Sequence, residues 1–142
     1  MDACAGDLAR LAKTLDVQPR AVIGHSFGGK VALRYAALNP AGLEAVWSLD
    51  SPPGRWHRGT GGDEIARVFA TIRSLPMPAE NRVAVSEHFV AEGFGRGIAG
   101  WMTTNVRRTD KGVGWRFDLP VLEALLSDYA TLDVWDVLEH PP

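Results

Sequence analysis

The sequence predicts an α/β fold: part of a doubly wound parallel sheet, represented by two strands, with a helical segment inserted after the second. Three observations predict it. From Asp7 to Leu49 the order is helix, strand, tight turn, helix, strand, which is the grammar of a parallel sheet. The first strand-like segment is a short apolar run consistent with a buried parallel strand, and the second, LEAVWSL, is a strand-like run broken by a Pro-Pro turn. From Arg55 onward the apolar residues recur at helical period. The 142 residues, 46% hydrophobic and 23% charged, have the balance of a globular chain rather than a disordered one.

Leu8, Leu11, Ala12 and Leu15 form one apolar stripe, so Asp7 to Leu15 reads as the end of an amphipathic helix. Ala21-Val22-Ile23, bounded by Pro19 and Gly24, reads as a buried strand, and Gly24 to Gly29 as a tight turn. Lys30 to Leu38 is composed of good helix formers and ends at Asn39-Pro40. Leu43 to Leu49 is the second strand, broken by Asp50-Ser51-Pro52-Pro53-Gly54. Four helical segments are expected next. The first carries Ile65, Val68, Phe69 and Ile72 and ends at Pro76 and Pro78. The second runs over Ala79 to Glu92, the third over Ile98 to Val106, and the fourth starts near Pro120 with Leu122, Leu125, Leu126 and Tyr129 in register. Between the last two, Arg107 to Gly112 reads as a polar, solvated turn and Trp115 to Leu119 as extended. The expected organisation is residues 1–54 as a partial sheet core, 55–131 as the helical insertion and 132–142 as a linker.

The 15 basic and 17 acidic residues leave a net charge of −2, which supplies no field to gather nucleic acid or an anionic membrane. A single cysteine, Cys4, excludes an internal disulfide and a cysteine-based zinc site, and reads as a small apolar residue. No apolar stretch approaches the length of a membrane span, and Met1 to Leu15 lacks the apolar block of a secretory signal. A cytoplasmic location is the corresponding expectation.

The chemistry is concentrated in Gly24-His25-Ser26-Phe27-Gly28, a G-x-S-x-G pattern set between a strand and a helix. Such a turn lifts the serine onto a strained backbone position above the strand ends. Small residues on either side let strand and helix approach closely. The start of the following helix, near Gly28-Gly29, directs free N–H groups at developing negative charge, with the Phe27 N–H as one oxyanion donor. A phosphate-cradling loop is the rival reading, but no Ser or Thr follows Lys30 and no G-x-G-x-x-G is present.

GHSFGGKVALRYAALNP followed by LEAVWSLDSPPG resembles the nucleophile elbow and next strand of the α/β-hydrolase fold. The region with IAGWMTTNV and WRFDL resembles the helical lid of small esterases in that superfamily. The resemblance implies a serine hydrolase, hydrolysing a carboxylic ester through an acyl-enzyme on Ser26, with a small-molecule acyl substrate and no metal or organic cofactor. It implies the triad acid either in the turn after a strand beyond Pro142, as in most of the family, or, as in some small esterases, at Asp50 in the turn after the second strand; the bland alternative for Asp50 is a cap of the Pro-Pro turn. Trp101 and Trp56 are candidates for an acyl pocket, although Trp56, Trp101, Trp115, Phe89 and Phe94 also suit the core of a helical cap. The family order is serine, acid, histidine. His25 is expected to point away from Ser26 and pack, while His57, His88 and His140 follow no strand in the required place. The chain therefore reads as the middle of a larger hydrolase. A catalytically silent fragment or interaction module is one alternative, and perhydrolase, C–C hydrolase or lyase chemistry on the same fold is another.

Overall fold

A computed structural model describes residues 1–38, 40–56 and 62–139. The chain divides into two compact units, Met1–His57 with Glu123–Pro142, and Arg58–Leu122.

In the first unit, α1 (Asp2–Thr14) leads to β1 (Ala21–His25), α2 (Phe27–Ala36) and β2 (Ala45–Leu49). The strands pair in parallel, Ala21 opposite Ala45 through His25 opposite Leu49. The ladder is held at its start by Arg20, whose carbonyl accepts from Glu44 N (2.8 Å) and Ala45 N (3.1 Å). The Arg20 guanidinium grips the Glu44 carboxylate with contacts of 2.6 to 2.9 Å. At its other end Ser26 N donates to Leu49 O (2.9 Å). α2 packs against both strands and α1. On the sheet face opposite α2, Ile23 and Trp47 are directly paired yet 65% and 57% exposed. The C-terminal part of α6 (Leu119–Thr131) and α7 (Trp135–Glu139) complete this unit. Leu33 and Ala36 of α2 bury against Val134 and Val137, and a second cluster gathers Met1, Val31 and Tyr129 with Cys4, Phe27 and Trp56. Cys4 is thus a packing residue, as its surroundings in sequence suggest.

The second unit contains α3 (Gly62–Ser74), α4 (Arg82–Ala91), α5 (Arg96–Met102), a 3-10 turn (Thr103–Asn105) and a hairpin of β3 (Val106–Thr109) with β4 (Gly112–Trp115). Its core is Ile72, Val85, Phe89, Phe94, Ala99, Met102, Val106 and Val113. Asn81 caps α4 by accepting from Ala84 N (3.0 Å).

Several boundaries differ from the sequence expectation, for physical reasons. The expected solvated turn at Arg107 to Gly112 is a β-hairpin with only Asp110 and Lys111 between its strands. Its outward side chains are charged, but Val106 and Val113 are buried and Val113 bonds Ala79 through both backbone groups. The extended segment consequently ends at Trp115, and the third helix ends at Met102 because Val106 belongs to β3. α2 begins at Phe27 rather than Lys30: Gly28 and Gly29, poor helix formers in isolation, lie in its first turn. α1 begins at Asp2, ahead of the apolar stripe, with Ala5 buried.

Arg34 of α2 hydrogen-bonds Asp2 of α1. That bond and the guanidinium charge hold the Asp2 carboxyl below its ordinary value of 3.8. A carboxyl with a depressed folded pKa stabilises the fold above its unfolded pKa, and the contribution disappears as pH falls through the folded one. Asp2→Asn is expected to lower stability near pH 7 by about 0.2–1 kcal/mol, since the pair is solvent-screened. Urea midpoints of the two proteins should converge as pH is taken well below 3.8.

Candidate active site

β1 delivers the chain to Ser26, the N-cap of α2, at φ 52 and ψ −120. For a residue with a Cβ this backbone region is strained. The reversal works because of its glycines, though not in the symmetric manner the pattern suggests. A Cβ on Gly24 would lie 1.9 Å from the Gly28 carbonyl oxygen, and one on Gly29 would lie 2.5 Å from Ser51 Cβ and 2.6 Å from Ser48 Oγ. A Cβ on Gly28 would meet nothing within 4 Å. The close approaches are therefore made by Gly24 and Gly29, with the backbone of Gly28 as the surface that Gly24 touches.

Ser26 is exposed at the end of the ladder. Its carbonyl accepts from Gly29 N (2.8 Å). Phe27 is the first residue of α2, so its N–H has no intrahelical acceptor. The first turn of α2 carries no acidic residue to offset the positive end of the helix dipole. An anion developing beside Ser26 therefore meets a backbone donor and a favourable dipole.

Asp50 follows β2 as Ser26 follows β1. Register pairs His25 with Leu49, and both next residues leave their strands at positive φ, 52 for Ser26 and 50 for Asp50. Fold and register thus bring these two candidates to the same end of the sheet. His25 corrects one expectation: instead of packing, its side chain is 72% exposed, with Nε2 3.9 Å from Asp50 Oδ2 and Asp50 itself 89% exposed. The terminal position in β1 leaves the ring on the open face, where α2 does not reach.

Trp56 lies in the cluster around Tyr129, edge-on to that ring at 6.2 Å, and its backbone N–H donates to Ala130 O (2.9 Å). Trp101, on α5 of the second unit, is 61% exposed. Phe89 and Phe94 are core residues there, and Trp115 stacks on Phe117 at 5.1 Å. His88 also belongs to the second unit, its Nε2 lying 3.0 Å from Ser74 Oγ and 3.3 Å from Thr71 O. His57 and His140 lie outside the described residues. Two apolar grooves are present in the first unit, of about 170 Å³ between α2, β2 and α7 and about 130 Å³ beside α1 and β1; neither is lined by Ser26. Among the described residues no group of three His, Cys, Asp or Glu side chains could hold a metal ion, and no helix is long and apolar enough to cross a membrane.

Two residues unmarked by the sequence motif reach the turn. Phe27 stacks on Tyr129 (5.9 Å between centroids), and Lys30, fully buried, donates through Nζ to the carbonyls of Tyr129 (2.7 Å) and Leu132 (2.8 Å). Burial pushes the Lys30 ammonium below its ordinary pKa, and the nearby Asp133 opposes that shift. No local pattern could reveal a partner 99 positions away; the one signal was a lysine beside the apolar run Val31-Ala32-Leu33.

Residues 1–110 match the family model described as alpha/beta hydrolase fold. The chain is 25% identical over 146 aligned residues to the sn-1-specific diacylglycerol lipase ABHD11 of Danio rerio, covering 99% of this chain and 45% of that protein. It is 26% identical to the Mus musculus protein of the same name, covering 92% and 43%. A 57-residue stretch is 39% identical to N-formylmaleamate deformylase of Pseudomonas putida, covering 38% and 21%. The chain thus spans less than half the length of these curated relatives. Among solved structures, a marine microorganism esterase superposes with a TM-score of 0.81 at 21% identity, over 90% of this chain and 50% of that one, a likeness of fold.

Proposed function

Because the chain belongs to the α/β-hydrolase fold family, we propose that Ser26 is the nucleophile of an ester hydrolase, forming an acyl-enzyme with a small carboxylic ester. The observation that carries this reading is the backbone of Ser26, held at φ 52 and ψ −120 between a parallel strand and a helix start. In the proposed reaction Ser26 Oγ attacks the acyl carbonyl while a histidine takes its proton. The Phe27 N–H stabilises the resulting oxyanion, the alcohol leaves with a proton from that histidine, and water releases the acid. The ester bond is the target suggested by the sn-1-specific diacylglycerol lipases among the relatives.

A fluorophosphonate probe tests the nucleophile. Peptide mapping should place a single adduct on Ser26, and a folded protein that takes up no label there would refute the reading.

Asp50 is proposed as the carboxylate that orients the histidine. Its support is its position one residue past β2, level with Ser26. Asp50→Asn is expected to lower kcat by about 10²–10⁴-fold with little change in KM. An unchanged kcat would leave Asp50 as a turn residue.

A second reading is a chain that carries the nucleophile turn without turning over. It is favoured by His88, which is occupied by Ser74 and Thr71 within the second unit. Hydrolysis of p-nitrophenyl acetate that disappears in Ser26→Ala excludes it. Perhydrolase, C–C hydrolase and lyase chemistry on this fold would be separated from ester hydrolysis by a substrate screen.

A further inference from the structure

We propose that Lys30 is a positioning residue for the nucleophile turn: its ammonium clamps the C-terminal end of α6 to the first turns of α2, so that Tyr129 braces Phe27. The catalytic consequence rests on the Ser26 reading above; the clamp itself does not.

α2 carries two glycines, Gly28 and Gly29, in its first turn, just past the strained Ser26 and then Phe27, a weak beginning for a helix that must hold an N–H in a fixed direction. Its own sequence supplies no side-chain cap. Support comes from distant chain. Lys30 is fully buried, with Nζ 2.7 Å from Tyr129 O and 2.8 Å from Leu132 O. Tyr129 lies in the last turn of α6, where carbonyls lack intrahelical partners and the helix dipole favours a cation. One side chain thus answers two orphan acceptors and a dipole. The same ammonium lies 4.6 Å from the centroid of the Tyr129 ring. That ring in turn stacks on Phe27 at 5.9 Å with an interplanar angle of 25°. The path from Nζ to the proposed oxyanion donor therefore crosses only one intervening residue. A buried lysine placed solely for stability is an expensive choice, because an apolar side chain of similar volume is often as good. Holding a particular carbonyl pair at a particular distance is a task an apolar side chain cannot perform.

The experiment compares wild type with Lys30→Met, Lys30→Arg and Tyr129→Leu, at a temperature where circular dichroism shows each to be folded. Two readouts are taken. Hydrogen exchange followed by mass spectrometry reports on the peptide over residues 24–31, with a peptide from α4 as the internal control. Fluorophosphonate labelling is resolved into its maximal rate and its half-saturating probe concentration. In Lys30→Met, exchange over residues 24–31 should rise at least about tenfold while the α4 peptide is unchanged. The maximal labelling rate should fall about tenfold with the half-saturating concentration unaltered, and Lys30→Arg should recover part of both. Tyr129→Leu, which keeps the carbonyl but loses the ring, should slow labelling similarly and carries the test if Lys30→Met does not fold. Unchanged exchange over residues 24–31 together with unchanged labelling in Lys30→Met and Tyr129→Leu would overturn the proposal. If wild type takes no label at Ser26, the nucleophile reading fails by itself and the exchange data still decide the clamp.

Discussion

Ser26→Ala should abolish acyl transfer while leaving the fold about as stable as before. Loss of a serine nucleophile in a triad enzyme lowers kcat by about 10⁴–10⁶-fold, the residue of activity coming from the oxyanion donors and binding. The stability half of the expectation follows from the backbone. At φ 52 and ψ −120, alanine is as strained as serine, since both carry a Cβ. Ser26→Gly separates the two effects. It removes the nucleophile equally but relieves about 1–3 kcal/mol of backbone strain, offset by about 0.5–1 kcal/mol of extra freedom in the unfolded chain. Urea unfolding should therefore find Ser26→Gly up to about 2.5 kcal/mol more stable than Ser26→Ala. A Ser26→Gly protein clearly less stable than Ser26→Ala would mean that the turn stores no strain.

Gly24→Ala is expected to be the most disruptive small substitution at the turn. The added methyl would sit 1.9 Å from Gly28 O, 2.3 Å from Gly28 C and 2.7 Å from Gly29 N. All three are main-chain atoms, so no rotamer change relieves the overlap, and β1 must separate from α2. A loss on the order of 3–5 kcal/mol is expected from such a clash, with labelling of Ser26 lost at the same time. Gly28→Ala is the control. Its methyl meets nothing within 4 Å, and alanine is the better helix former, so the protein should be unchanged or up to about 1 kcal/mol more stable. Urea midpoints that fall equally in the two variants would show that the asymmetry between the motif glycines is wrong.

Much of this arrangement can be read from one sequence, because the parts that matter are locally encoded. The apolar run before Gly24, the small residues around Ser26 and the break at Asp50 each state a backbone requirement within a few residues. The register of the two strands then brings Ser26 level with Asp50, each being the residue after the His25–Leu49 pair. The hairpin of β3 and β4 was hidden for the opposite reason. Arg107, Arg108 and Thr109 are exposed, and the burial that makes Val113 a strand residue comes from pairing with Ala79, more than thirty positions earlier. Gly112 gave the only hint. Its φ of 131 and a would-be Cβ 2.1 Å from Ala79 O require glycine, but sequence alone presents it as one more loop residue. Lys30 belongs to the same class: its partners are set by tertiary packing, and its charge beside Val31-Ala32-Leu33 gave no indication of what it holds. The exposed setting of His25 likewise depends on which sheet face α2 covers.

The short ladder of the first unit is fastened at both ends, by Arg20 on Glu44 and Ala45 at one end and by Ser26 N on Leu49 O at the other. Slipping β2 by a single residue would break both fastenings and bring Leu49 or Ser51 to the level of Ser26, with every side chain of the strand turned to the wrong face. Between α2 and β2, the stretch Pro40-Ala41-Gly42, ahead of Leu43 and Glu44, bears none of that responsibility. Insertions and deletions there should accumulate freely among natural or engineered variants, and grafted sequence should be tolerated, because the distance between serine and aspartate is metered by the strands and not by the loop.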